Sequence, residues 1–135
     1  MPERLEDVNH IGIAVKNLEE IIKVFCDILG LECIEEITLP ERGVKVAFLE
    51  TGNTKIELLE GISEDSPISK FVERHGPGVH HLCFNVTDIS RVLGELSSAG
   101  VRLIDEKARP GAEGKLVAFI HPKSTAGVLI ELSEK

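Results

Sequence analysis

Apolar and polar residues alternate along 8–15 and again, in the same order, along 79–86, and each stretch leads into a helical stripe. Side chains on a strand point to opposite faces in turn. Ile11, Ile13 and Val15 therefore share one face, and His10, Gly12 and Ala14 the other. Asn17, with Glu20 three residues on, reads as a capping box; Leu18, Ile21, Ile22, Phe25 and Leu29 follow at helical spacing, and Gly30 suits a left-handed C-cap. Strands are predicted at about 32–38, 44–50 and 54–60, with turn signals at Pro40–Gly43 and Gly52-Asn53 between them. The second strand sets Leu82, Phe84 and Val86 against His81, Cys83 and Asn85. Asp88 then caps a helix carrying Ile89, Val92, Leu93 and Leu96 up to Gly100, and further strands are predicted near 102–106, 115–120 and 128–133. Between the two runs lies a short helix, with Ser66 as cap, Pro67 in its first turn and Ile68, Phe71 and Val72 on its apolar side.

The two runs are copies of one unit. His10 falls on His81 and Val15 on Val86 at an offset of 71, and Gly30 falls on Gly100 after one deletion. Val46-Ala47-Phe48 then matches Val117-Ala118-Phe119, and Ile56-Glu57-Leu58 matches Ile130-Glu131-Leu132 after a three-residue insertion. A period of this kind is best read before anything else. It predicts a single α+β domain over 1–135, made of two tandem βαβββ modules at about 5–62 and 78–135 joined by a helix at about 65–76. The wholly apolar strand faces should pack beneath the helices. The small and polar faces should line the inside of a cupped mixed sheet, with the helices on its convex side.

Each copy places one His near its start and one Glu near its end. Glu57 stands between Ile56 and Leu58, and Glu131 between Ile130 and Leu132. A carboxylate in an apolar strand centre is costly unless paired or bound to a cation. If the copies pack about a pseudo-twofold axis, His10, Glu57, His81 and Glu131 converge as ligands of one metal ion. Two imidazole nitrogens and two carboxylates suit Mn, Fe, Co, Ni or Zn rather than calcium or a thiolate-bound zinc. On a six-coordinate ion they leave two positions open, which reads as catalytic. Taken alone, His10 reads as a core histidine satisfied by backbone; its counterpart in the second copy counts against that. Glu57 would be exposed if its strand lay at an edge. His80 opposes His81 and reads as structural, His75 ends a helix, and His121 belongs to the turn His121-Pro122-Lys123-Ser124.

The formal charge of −8 argues against nucleic acid or an anionic membrane as partner. No apolar signal region opens the chain and no run approaches the length of a membrane span, so a cytoplasmic protein is expected. Cys26, Cys33 and Cys83 sit in apolar segments and read as buried free thiols.

These segments resemble the vicinal oxygen chelate superfamily and, within it, the methylmalonyl-CoA epimerase family, over essentially the full length. The resemblance is carried by residues 8–15 (VNHIGIAV), 52–59 (GNTKIELL), 65–68 (DSPI), 78–81 (GVHH), 121–123 (HPK) and 127–132 (GVLIEL). It implies His10, His81 and Glu131 as metal ligands, with Glu57 where some members carry a ligating Gln. It further implies one divalent ion per chain (Co, Mn, Ni or Zn), methylmalonyl-CoA as substrate, proton transfer at its C2, and a homodimer. Glu131 is the first choice of base. Val46 stands where some members have a second, catalytic Glu, which leaves Glu57 as the candidate for the opposite side of the substrate. The runner-up is a lactoylglutathione lyase, whose His, Glu, His and Glu pattern is also met. A non-catalytic small-molecule-binding protein is the rival of a different class. Arg109, Lys115 and Lys123 are candidates for the charges of CoA, or ordinary solvated residues.

Overall fold

The computed structural model describes residues 4–111 and 114–135. The chain forms two compact units, one of His10–His80, the other of His81–Lys135 together with the N-terminal stretch through Asn9. In the first unit, strands β1 (Val8–Ala14), β2 (Glu32–Leu39), β3 (Val44–Glu50) and β4 (Lys55–Gly61) lie in the order β2-β3-β4-β1. β1 and β4 run parallel and the other pairs antiparallel, so the sheet is mixed. The second unit repeats this scheme with β5 (Gly78–Val86), β6 (Arg109–Pro110), β7 (Leu116–Ile120) and β8 (Leu129–Glu134) in the order β5-β8-β7-β6. Here β5 and β8 are the parallel pair. The fold class is α+β, and each module reads strand, helix, then three strands, as the repeat predicts.

The three caps are formed by the residues the sequence singles out. Asn17 Oδ1 accepts from the Glu20 N–H at 3.1 Å, Ser66 Oγ from Ser69 N–H at 3.2 Å, and Asp88 Oδ1 from Arg91 N–H at 3.2 Å. Helix α1 (Leu18–Ile22) lays Leu18, Ile21 and Ile22 on Val15, Ala47, Leu49 and Leu58. Helix α3 (Ile89–Ser98) sets Ile89, Val92 and Leu93 on Val86, Ala118, Ile130 and Leu132. Helix α2 (Pro67–His75) packs differently: Ile68, Phe71 and Val72 lie on Ala14, Val44, Val46 and Leu59, the face of the first sheet that carries His10 and Glu57.

Two elements depart from expectation. After Ile22 the first helix widens into a π-helical turn over Lys23–Ile28, in which Leu29 N–H donates to the Val24 carbonyl at 2.9 Å. A π turn holds one more residue than an α turn. The first copy has one more residue than the second between its cap and its glycine (Asn17 to Gly30 against Asp88 to Gly100), and the wide turn absorbs it. The extra rotation keeps Phe25 and Cys26 against the core but turns Ile28 and Leu29 outward, 75% and 62% exposed, so Leu29 does not join the core stripe.

The strand predicted near 102–106 does not form. Leu103 makes a single bridge to Ile120, and regular pairing resumes only at Arg109–Pro110. Ile104 and Asp105 both donate their N–H groups to the Phe119 carbonyl, while Asp105 Oδ2 accepts the Phe119 N–H at 2.8 Å. A side-chain carboxylate thus takes the place of a ladder carbonyl and ends the strand.

Candidate functional site

Each unit contains a His–Glu pair with a buried imidazole and a half-buried carboxylate, and the two pairs are built alike. In the first unit His10 lies beside Lys55 on the parallel strand β4, and Glu57 stands two residues further on. In the second, His81 lies beside Leu129 on the parallel strand β8, and Glu131 again stands two residues further on. Positions two apart on a strand share a face, so each carboxylate reaches diagonally to its imidazole. His10 Nδ1 is 3.3 Å from Glu57 Oε2, and His81 Nε2 is 3.4 Å from Glu131 Oε1.

All four side chains are largely withdrawn from water. The two imidazoles are 10% and 9% exposed, and the Glu57 and Glu131 side chains 19% and 14%. β4 lies between β3 and β1, so Glu57 is not on an edge strand. Phe48 is its cross-strand neighbour on β3, and Phe119 holds the same position beside Glu131 on β7. On the other side the neighbours differ: Gly12 for Glu57 and the fully buried Cys83 for Glu131. Val46, where the family resemblance seeks a second base, is 3% exposed and packs with Ala14, Leu59 and Ile68.

The donor set fits a transition-metal ion. A charge-assisted N–H···O bond closes to about 2.7–2.9 Å. Adjacent donors on one ion, each at about 2.0–2.2 Å from it, lie roughly 3–3.5 Å apart. The separations in both pairs fall in the second range. Neutral imidazole and carboxylate are also the ligand types that zinc, cobalt, nickel and manganese share.

The strands that carry the two Glu residues anchor the helices as well. Glu60 Oε1 accepts the Leu18 N–H at 2.6 Å, and Glu134 Oε2 accepts the Ile89 N–H at 3.1 Å. In each copy a Glu three residues after the site Glu thus caps the first turn of its helix, where negative charge is favoured. The sequence signal was present in the paired segments 57–60 (ELLE) and 131–134 (ELSE), but nothing local marks a cap supplied from a distant strand.

The remaining histidines keep structural places. His80 meets the Phe71 ring edge-on at 4.9 Å between centroids, and His75 lies 5.0 Å from the same ring. His121 Nδ1 accepts the Lys123 N–H at 3.0 Å and so closes its own turn. Its pKa is lowered from the ordinary 6.5, first by burial and then by the positive charges of Arg102 and Lys123. Cys83 is buried as expected, whereas Cys26 and Cys33 are only partly so. Burial, then the neighbouring Cys33 thiol and Asp27, raises the pKa of Cys26. Among the described residues no helix is long and apolar enough to cross a membrane.

Residues 9–119 match the family model of the glyoxalase/bleomycin resistance protein/dioxygenase superfamily. The chain is 41% identical over 132 residues to the mitochondrial methylmalonyl-CoA epimerase of Mus musculus, covering 97% of this chain and 74% of that one. Among solved structures it resembles the methylmalonyl-CoA epimerase of Mycobacterium tuberculosis, with a TM-score of 0.87 at 36% identity, over 99% of this chain and 91% of that chain. It also resembles a methylmalonyl-CoA epimerase in complex with methylmalonyl-CoA and NH4+, with a TM-score of 0.85 at 32% identity, over 98% and 96% of the two chains.

Proposed function

The chain belongs to the glyoxalase/bleomycin resistance protein/dioxygenase superfamily, and from that membership we propose that it is a methylmalonyl-CoA epimerase, moving the proton at C2 of its substrate from one side to the other. The observation that carries this reading is the pair of His–Glu arrangements, alike in register and separation, in a chain 41% identical to an epimerase over nearly its whole length. The lactoylglutathione lyase and the non-catalytic binding protein fit the same donors but are not favoured by these relatives.

His10, Glu57, His81 and Glu131 would together hold one divalent ion, and His10, His81 and Glu131 are a group able to do so. Once bound, the ion would supply Lewis-acid stabilisation for the negative charge that develops on the substrate's oxygens.

The protein's own groups handle the proton. C2 lies between a thioester and a carboxylate, which together make its hydrogen acidic enough for a carboxylate base. Glu131 takes that proton. Phe119 and Cys83 flank it on the neighbouring strands. Val46 has no group able to carry a proton, so Glu57 serves as the base on the opposite side. Glu57→Gln separates base from ligand, because the amide oxygen still coordinates but accepts no proton. Blocked epimerisation would support Glu57 as base, and near-normal epimerisation would leave it a ligand only. The homodimer belongs to the same proposal and is checked by sedimentation.

The activity itself is tested with a single stereoisomer of methylmalonyl-CoA, run beside the glutathione hemithioacetal of methylglyoxal. Conversion of the first to a mixture of stereoisomers, without turnover of the second, is the expected result. The reverse would replace the epimerase with the lyase.

A further inference from the structure

In the second unit, register assigns side chains to the two faces of the sheet. Arg109 lies beside Val117, Phe119 beside Glu131, and Val117 beside Ser133. Positions two apart share a face, so Arg109, Val117, Phe119 and Glu131 are all on one side. Ala118, Ile120, Ile130 and Leu132 are on the other, under α3. Arg109 is thus on the same face as the proposed base, and an assembly of neighbours holds it there. Its guanidinium carbon lies 5.5 Å from the centroid of the Phe119 ring, and its Nε is 3.4 Å from Asp105 Oδ1. The second oxygen of Asp105 accepts the Phe119 N–H at 2.8 Å, so one carboxylate fixes both the ring's backbone and the cation above it.

An unconstrained arginine loses considerable rotamer freedom when held in one place, and an exposed ion pair by itself returns little. Here the side chain is ordered by a ring, a carboxylate and a backbone bond together, yet stays 57% exposed. Asp105 engages the Nε side of the planar fork. The guanidinium can still meet a further anion with paired N–H donors, in the geometry that suits carboxylate or phosphate. On a chain of net charge −8, a cation fixed on the face of the base answers the difficulty of receiving a polyanionic thioester.

We propose that Arg109 is a substrate-recognition residue, binding an anionic oxygen group of the acyl-CoA, with Asp105 and Phe119 positioning it. The inference rests on the acyl-CoA reading above. The anion is either the acyl carboxylate or a phosphate of CoA, and three ligands tell them apart: methylmalonyl-CoA, propionyl-CoA, which lacks the carboxylate, and methylmalonyl-pantetheine, which lacks the phosphates.

Calorimetric affinities are compared between wild type and Arg109→Gln, after matching thermal unfolding shows that the variant is folded. Loss of a charged hydrogen-bonding partner should weaken binding about tenfold or more. Weakening confined to the two CoA ligands supports the proposal with phosphate as the anion. Weakening confined to the two methylmalonyl ligands supports it with the carboxylate. In steady state KM should rise while kcat stays within about twofold, since the removed interaction is made equally in the ground and transition states. Equal affinities for all three ligands in both proteins, or an equal loss for all three, would overturn it. Wild-type protein that binds none of the three would overturn the acyl-CoA reading along with it, which separates the two failures.

Discussion

Gly61 ends the strand that carries Glu57, and a methyl group there has no room. A Cβ at this position would lie 2.0 Å from Ser69 Oγ, 2.1 Å from Ser66 Oγ and 3.0 Å from Ser69 N. Those hydroxyls are the N-terminal lock of α2. Ser66 Oγ accepts the Ser69 N–H, and its own hydroxyl donates to Ser69 Oγ at 2.9 Å. Gly61→Ala must therefore displace the cap or move the helix. Losing a serine cap costs about 1 kcal/mol, and the hydroxyl–hydroxyl bond contributes about as much again. Shifting Ile68 and Phe71 against Val44, Val46 and Leu59 adds roughly 1–2 kcal/mol of overpacking strain. The sum is a loss of about 3–4 kcal/mol, read by denaturant unfolding as a lower midpoint with an unchanged slope. Ser69→Ala alone keeps the cap acceptor but loses the hydroxyl–hydroxyl bond, and should cost about 1 kcal/mol. Combined with Gly61→Ala it should recover part of the loss, because the nearer clash is gone. A Gly61→Ala protein within about 0.5 kcal/mol of wild type, or strict additivity in the double variant, would refute the steric argument.

Three further outcomes follow from the same structure. Elemental analysis should find about one divalent ion per chain in wild type and most of it missing from His10→Ala and His81→Ala, and chelation should lower the melting temperature until metal is restored; full occupancy in both variants would remove the proposed site. Glu60→Ala and Glu134→Ala should each cost about 1–2 kcal/mol through loss of a charged helix cap while leaving metal content intact, and unchanged denaturation midpoints would show the caps to be inert. His121 should titrate below its ordinary 6.5 by NMR, since burial and nearby Arg102 and Lys123 disfavour the imidazolium. The folded pKa is the depressed one, so this turn's contribution to stability is complete above the unfolded value and is lost as pH falls through the folded value; titration at or above 6.5 would contradict it.

Much of this architecture was legible because the chain states it twice. Asn17, Ser66 and Asp88 cap the helices they were expected to cap, and the strand alternation correctly placed Ile13 and Val15 toward α1 and His10 and Ala14 on the other face. The His–Glu pairing was legible for the same reason, since both copies keep the residues at matching positions. What escaped depends on long-range geometry. Hydrophobic spacing was read with an α period, so the π turn that turns Leu29 outward could not be foreseen, although the one-residue difference between copies was its trace. The stretch at 102–106 was expected as a strand, but the Asp105 carboxylate bonds to Phe119 and interrupts it. Glu60 and Glu134 went unremarked because the N–H groups they cap lie 42 and 45 residues away in sequence.

Everything proposed for this site turns on the Glu131 carboxylate moving the C2 proton. The direct measurement follows that hydrogen of methylmalonyl-CoA by NMR in heavy water, in wild type and in Glu131→Gln, with metal content determined on the same samples. Wild type should exchange C2 hydrogen for deuterium as the stereoisomers interconvert. Glu131→Gln should keep most of its metal, because the amide oxygen still coordinates, and should lose exchange by at least about a hundredfold, the usual worth of a positioned general base. Exchange within about tenfold of wild type in a metal-loaded Glu131→Gln protein would contradict the claim.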